Sequence, residues 1–204
     1  MIGWPVELRD DTVFGPVVLR PLRRTDGRAW ARLRATNRDW LEPWEATTPL
    51  GHVQAPPTFH GYVRSLTAQA RAGSALPFAI EHNDELVGQL TVSGIMYGSA
   101  CSASLGYWVS QHVAGRGIVP TAVALAIDHC FAELGLHRME INIRPENAAS
   151  LRVVAKLGLR DEGVRERYLH IQGQWCDHRT FAVTTEDVPD GLLARWQRTR
   201  EAMQ

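Results

Sequence analysis

The sequence predicts a mixed α/β fold built on a mostly antiparallel sheet of about seven strands. Three observations carry this. Short runs of strand-forming residues bounded by turn residues recur along the whole chain. One helical run, Gly117–Leu134, is apolar nearly all round, which suits a helix packed against a sheet. "RMEINI" (Arg138–Ile143) alternates apolar and polar residues between that helix and a second one, which makes a strand–helix–strand crossover.

The elements follow in order. "PVVLRPL" (Pro16–Leu22) is the first strand. Arg24–Asn37 shows helical spacing in Trp30, Leu33 and Ala35, with Asp26 placed as N-cap. Arg38–Pro57, rich in proline and tryptophan, reads as a structured loop. Phe59–Ala72 forms the next helix, ended by Gly73. Phe78–Glu81 and Leu86–Val92 make a hairpin around "HND", and Ser102–Val109 is another strand. After the long helix and "RMEINI", Asn147–Gly158 is a helix with Asn147 as N-cap and Gly158 at its end. "LRDEGVRERYLHI" and "CDHRTFAVT" supply the last two strands. No repeat or low-complexity linker interrupts the chain, so one domain over residues 1–204 is expected.

Composition narrows the function classes. A chain of 204 residues can bury a core without disulfides or a structural metal. The 22 basic and 22 acidic residues cancel, which gives no global attraction to nucleic acid or an anionic membrane. Lys156 is the single lysine; arginine supplies the other basic residues and suits bidentate phosphate or carboxylate contacts. Cys101, Cys130 and Cys176 lack CxxC spacing, so a reducing, cytoplasmic setting is expected. Cys176 and His178 are close in sequence but lack a second ligand pair, so no metal is expected. No basic-then-apolar leader opens the chain, and no run approaches the ~18 apolar residues of a membrane span.

"AGRGIVP" (Ala114–Pro120) opens the long helix. Pro120 is tolerated in a first turn, where its missing N–H has no intrahelical partner. The remaining free N–H groups and the helix dipole favour an anion there. Gly115 and Gly117 let the backbone approach it closely, and Arg116 adds charge. The stretch lacks GK[ST], so it does not match the nucleoside-triphosphate loop, and it lacks G-x-G-x-x-G followed by an acidic residue ~20 positions on, which disfavours a dinucleotide fold.

Leu105–Gly163, from "LGYWVSQHVAGRG" through "NAASLRVVAKLGLRDEG", resembles the core of the Gcn-related N-acetyltransferase (GNAT) superfamily. More narrowly, it is similar to the RimJ/RimL-like ribosomal-protein N-terminal acetyltransferases. "NRDWLEPWEATTP" and "IQGQWCDHRTFAV" extend the likeness on both sides. The resemblance implies a twisted sheet with a splayed central strand pair and helices on both faces. It also implies acetyl-CoA as co-substrate. The family's pyrophosphate loop falls on Ala114, Gly115, Arg116, Gly117, Ile118 and Val119. Ala114 replaces a usual Gln or Arg, and Val119 a final Gly or Ala; Gln111 lies three residues too early for the first slot. Trp108 and Val109 would offer backbone groups to the pantetheine arm, and Asn147 would contact it.

Many relatives place a tyrosine seven positions after that Asn; here the position is Val154. The resemblance assigns protonation of the leaving thiolate to Ser150 instead. A glutamate on the strand after this helix acts as base in that branch, and the corresponding position is Leu169. Glu166 is the base candidate, with Glu140 and Asp177 as alternatives. An α-amine, with a pKa near ~8, is already partly neutral at pH 7, unlike lysine near ~10.4. The expected acceptor is therefore a protein N-terminus beginning with Ala or Ser, walled by Trp40 and Trp44. A small amine such as a polyamine or aminoglycoside, or a catalytically silent CoA-binding module, remains the alternative. Monomer and homodimer are both compatible with the sequence.

Overall fold

A computed structural model describes residues 3–49 and 58–202. Residues 50–57, the end of the expected structured loop, lie outside the described residues. Strands β1 (Leu8–Thr12), β2 (Gly15–Pro21), β3 (Ala75–His82), β4 (Glu85–Met96), β5 (Ser102–Val109), β6 (Arg138–Ile143), β7 (Arg160–Ile171) and β8 (Gln174–Thr184) form one sheet. Their order is β1-β2-β3-β4-β5-β6-β8-β7, antiparallel throughout except for β5 and β6.

Helices α1 (Gly27–Thr36), α2 (Arg38–Leu41), α3 (Phe59–Arg71), α4 (Ile118–Ala132), α5 (Ala148–Leu157) and α6 (Leu192–Ala202) cover the sheet. Alternation in β3 separates the two faces. Leu76, Phe78 and Ile80 join the larger core with Ala122, Val123 and Ile127 of α4. Ala79 turns the other way, toward Leu33 of α1 and Val63 of α3. The β3–β4 hairpin turns at Asn83 (φ 50°) and Asp84 (φ 62°). Two positive φ values in a two-residue loop match the twist of the flanking strands, and Asn and Asp tolerate them.

The sheet is split where function was expected. β5 pairs in parallel with β6 only from Ser102–Ser104 to Arg138–Glu140. Beyond that, β5 stays with β4 as far as Val109, while β6 stays with β8 as far as Ile143. The diverging pair opens a wedge toward the N-termini of α4 and α5.

Two elements correct the sequence reading. Among the described residues the sheet has eight strands rather than about seven, because β1 pairs with β2 from Leu8↔Leu19 to Thr12↔Gly15. β1 carries Arg9, Asp10 and Asp11 and forms a sheet edge, so it lacks the apolar alternation that marks a strand. The second is α6, which the polar face of α4 receives. Backbone N–H groups of Leu192 and Leu193 donate to the Asp128 carboxylate at 2.7 and 2.9 Å. The Trp196 indole donates to Thr121 Oγ1 at 2.8 Å, and both residues are buried. Burial pushes the Asp128 carboxyl up, and those two backbone bonds partly offset it.

Smaller corrections fall at α1. Ala35 is exposed. Asp26 precedes the helix, but its side chain does not cap α1. It accepts from the buried Arg20 guanidinium at 2.9 and 3.0 Å, with Glu81 completing the cluster at 2.6 Å. An arginine taken out of water demands such partners, and they outweigh local capping.

Candidate active site

The wedge between β5 and β6 leads into a cleft of about 480 Å³. Its loop wall comes from Ala114, Gly115, Gly117 and Val119, its strand wall from Trp108 and Val109, and its α5 wall from Asn147 and Ser150. A second cavity of about 230 Å³ is lined from both β5 and β6. Trp44, Gly106, Tyr107, Asn147 and Ser150 line both, so the two spaces meet at the start of α5.

Gly117 is the N-cap of α4 at φ 77°, and Gly115 has φ 85°. These left-handed positions favour glycine and turn the chain from the short turn Gln111–Val113 into α4. Two expected loop residues play lesser parts. Ile118 is 1% exposed, so its side chain belongs to the core and only its backbone N–H remains for a ligand. Arg116 is exposed and does not line the cleft. Two cations that the sequence did not single out for this role, Arg152 and Lys156 on α5, line it instead.

α2 and the turn Glu42–Trp44 bring both expected tryptophans to the cleft. Trp40 Nε1 donates to the Val109 carbonyl at 3.0 Å, so this carbonyl, expected to face a pantetheine arm, already has a protein partner. Trp44 lies under the Arg144 guanidinium, 5.7 Å from the ring centre, and Arg144 donates to the Pro43 carbonyl. The segment is pinned at both ends. The Thr47 N–H donates to the His170 carbonyl of β7 at 2.8 Å. At the other end, buried Asn37 donates to Ser110 Oγ and accepts from the Gln111 N–H, both at 2.8 Å. Asn37 thereby ties α1 and α2 to the turn that leads into the glycine loop.

At α5, Asn147 Oδ1 accepts from the Ser150 N–H at 3.0 Å, the expected cap. The cap uses the backbone of Ser150 and leaves its hydroxyl free for the cavities. Tyr107 faces it from β5. Burial pushes the Tyr107 phenol up to about 12, and the nearby Ser150 hydroxyl only partly offsets this. The two hydroxyls do not meet hydrogen-bond geometry, so the Tyr107 hydroxyl is buried and unpaired among the described residues. Tyr107 therefore remains a proton donor at neutral pH.

The carboxylates proposed as base lie elsewhere. Glu166 is 77% exposed, beside Arg167, and lines neither cavity. The register of β7 shifts between Arg165 and Leu169, so the strand is irregular around Glu166. Glu140 is bound by Arg138 and Arg165. Asp177 is exposed and accepts from the Arg167 N–H at 2.7 Å. Leu169 does line the second cavity, as does buried His178 of β8. The sequence set His178 aside as half of a poor metal pair. Among the described residues, no three His, Cys, Asp or Glu side chains cluster as metal ligands.

A sheet split at a parallel pair, with a glycine loop and helix N-terminus at its mouth, is the architecture of an acyl-CoA-dependent acyltransferase. The acetyltransferase (GNAT) domain family matches residues 17–160, and the chain belongs to that family. It is 32% identical to the ribosomal protein uS5-alanine N-acetyltransferase of Escherichia coli (strain K12), over 86% of this chain and 91% of that one. It is 30% identical to the probable N-acetyltransferase YjcK of Bacillus subtilis (strain 168), over 84% and 95%. Among solved structures, Mycobacterium smegmatis RimJ in complex with CoA-disulfide superimposes with a TM-score of 0.90 at 39% identity, covering 97% of this chain and 96% of that one. The fold and the RimJ-like branch expected from the sequence are therefore found. Among the described residues, no helix is long and apolar enough to cross a membrane.

Proposed function

We propose that this protein transfers the acetyl group of acetyl-CoA to the α-amine of a protein N-terminus in the cytoplasm, with ribosomal proteins as the acceptor class. The single observation that carries this reading is that Ser150 lines both cavities. The larger cleft has the features a CoA donor needs. Free N–H groups at the start of α4 and two left-handed glycines suit a pyrophosphate. Arg152 and Lys156 offer charge for further phosphate. Asn147 orders the first turn of α5, and Ser150 stands at the junction, where a departing thiolate needs a hydrogen bond.

The smaller cavity suits the acceptor. Its lining is mainly apolar or neutral, with Arg144 the charged exception. Glu45 is the one carboxylate lining either space among the described residues, and it is paired with Arg34. A polyamine carries several positive charges and gains most from unpaired carboxylates, which this lining lacks. A single α-amine with a small first side chain makes no such demand. It also starts partly neutral at pH 7.

A competition assay tests the acceptor. Peptides with free N-terminal Ala or Ser, N-blocked lysine peptides and polyamines are offered together with acetyl-CoA, and the products are identified by mass spectrometry. Label should appear on the α-amines. Label mainly on lysine side chains or polyamines overturns the N-terminal assignment.

A further inference from the structure

The second cavity contains a basic atom that no carboxylate candidate supplies. His178 is 3% exposed and lines the space together with Ser150, Tyr107 and Leu169. Its Nδ1 lies 3.0 Å from the Cys176 carbonyl oxygen. A carbonyl only accepts, so Nδ1 carries the hydrogen and the Nε2 lone pair is left available. Nε2 makes no hydrogen bond among the described residues. It is also absent from the sealed, unpartnered side-chain atoms, which include His129 Nε2 and the Tyr107 hydroxyl. Tyr168 meets the imidazole edge-on, with ring centres 5.8 Å apart, and holds its plane.

We propose that His178 Nε2 accepts the proton of the acceptor amine, the role that Leu169 cannot fill at the neighbouring strand position. Leu169 pairs with Cys176, two residues before His178, so the base has moved from β7 to β8 while facing the same cavity. This assignment rests on the acceptor reading above. The charged surroundings agree with it. Burial is the largest influence on His178 and lowers its pKa below the ordinary 6.5. Arg144 lowers it too, while the Cys176 carbonyl, Asp177 and Glu146 oppose. Arg165, which stacks on Tyr168, is neutralised by Glu140. The imidazole is therefore uncharged at neutral pH and ready to take a proton.

Atoms balance as follows. His178 removes one proton from the ammonium, and the amine nitrogen bonds to the thioester carbon. The carbon–sulfur bond breaks, and the nitrogen's second proton reaches sulfur through the Ser150 hydroxyl. The products are an amide, free CoA thiol and an imidazolium that returns its proton to solvent.

The test combines NMR titration of His178 with pH profiles of kcat/KM for wild type, His178→Asn and His178→Gln. Asn keeps a donor near the Nδ1 position, and both variants lack a basic nitrogen. Calorimetric CoA affinity and the unfolding midpoint are read alongside. In wild type the acidic limb should coincide with the His178 titration, below 6.5. In the variants, kcat/KM at pH 7 should fall roughly 10²-fold. Their limb should move to the acceptor's own pKa, near ~8 for an α-amine, with CoA affinity retained. Wild-type rates with an unmoved limb, activity loss with an unmoved limb and weakened CoA binding, or an NMR titration that departs from the limb each overturn the assignment. If wild type labels another amine, the acceptor reading fails, and the same profile on that amine still tests His178.

Discussion

A Cβ placed on Gly117 would lie 3.3 Å from Cζ2 of Trp196, the buried anchor of α6. The glycine loop is thus backed by the C-terminal helix, and a side chain at this position points at protein rather than into the cleft. Gly115 differs: among the described residues, a Cβ there meets no atom within 4 Å. Both residues have positive φ, so alanine costs about 1–2 kcal/mol of backbone strain at either site.

The two glycines should therefore separate by variant. Gly117→Val is expected to lower stability by more than the strain alone, because Trp196 must shift, and to weaken CoA binding through the displaced loop. Gly115→Val should lose CoA affinity with only the strain cost to folding. Urea unfolding and calorimetry with CoA measure both. Unchanged CoA affinity in a folded Gly117→Val protein removes the loop from the donor site.

Ser150 and Tyr107 make a second test, because their structural and chemical roles do not overlap. The α5 cap uses the Ser150 N–H, so Ser150→Ala keeps it. We expect kcat to fall roughly 10²-fold with little change in stability or acetyl-CoA affinity. Asn147→Ala removes the cap and should cost about 1 kcal/mol. Tyr107→Phe deletes a buried hydroxyl that has no partner among the described residues, so stability should rise by about 1 kcal/mol. A loss of turnover in that more stable variant would mark the phenol as a working donor. Lower stability with normal turnover in Ser150→Ala would leave Ser150 a helix-start residue only.

Acid stability should depend on the arginine network beside β6. Arg138 bonds Glu162 and Glu140, and Arg160 joins Glu162 to Asp187. The Arg138 hydrogen bond is the main reason that the Glu162 carboxyl is held down to about 2, from an ordinary 4.5. A depressed folded-state pKa contributes stability above the unfolded value and loses it as pH falls through the folded value. Glu162 should therefore stabilise the fold above about pH 4.5 and lose that contribution between pH 4.5 and about 2. Denaturant midpoints of wild type and Glu162→Gln, compared across this range, should differ at pH 6 and converge near pH 2. A constant difference would show that the pair is not the source.

The distribution of these tests follows what the sequence could reveal. β6 and α5 were legible to the residue because period-2 alternation and a cap-to-glycine frame are local signals. The glycine loop was legible for the same reason. β1 and α6 were not, since an edge strand of charged residues and a helix of low apolar content acquire their meaning from distant partners. The base candidate met the same limit. Glu166 is acidic and near in sequence, but it is exposed and lines neither cavity. His178 faces the cavity because of a strand pairing that only the fold reveals.

Trp40 offers the last separation, between the acceptor wall and the donor site. Its indole nitrogen holds the Val109 carbonyl at 3.0 Å, while its ring lines the larger cleft. Trp40→Phe keeps an aromatic face but removes the donor, leaving that carbonyl without its side-chain partner. The lost hydrogen bond should cost about 1 kcal/mol of stability. If the tryptophan wall guides the first residues of a peptide, KM for an N-terminal Ala peptide should rise several-fold, with kcat within about twofold of wild type. A rise in KM at constant kcat is the mark of lost binding common to ground and transition states. Trp44→Phe is the control, because Trp44 lines both cavities beneath Arg144 without any such bond to Val109. It should alter peptide KM with less effect on stability. Steady-state kinetics with peptide and acetyl-CoA varied independently decide the matter. If Trp40→Phe raises KM for acetyl-CoA and leaves that of the peptide alone, the wall belongs to the donor, and the acceptor must enter from the Trp44 side.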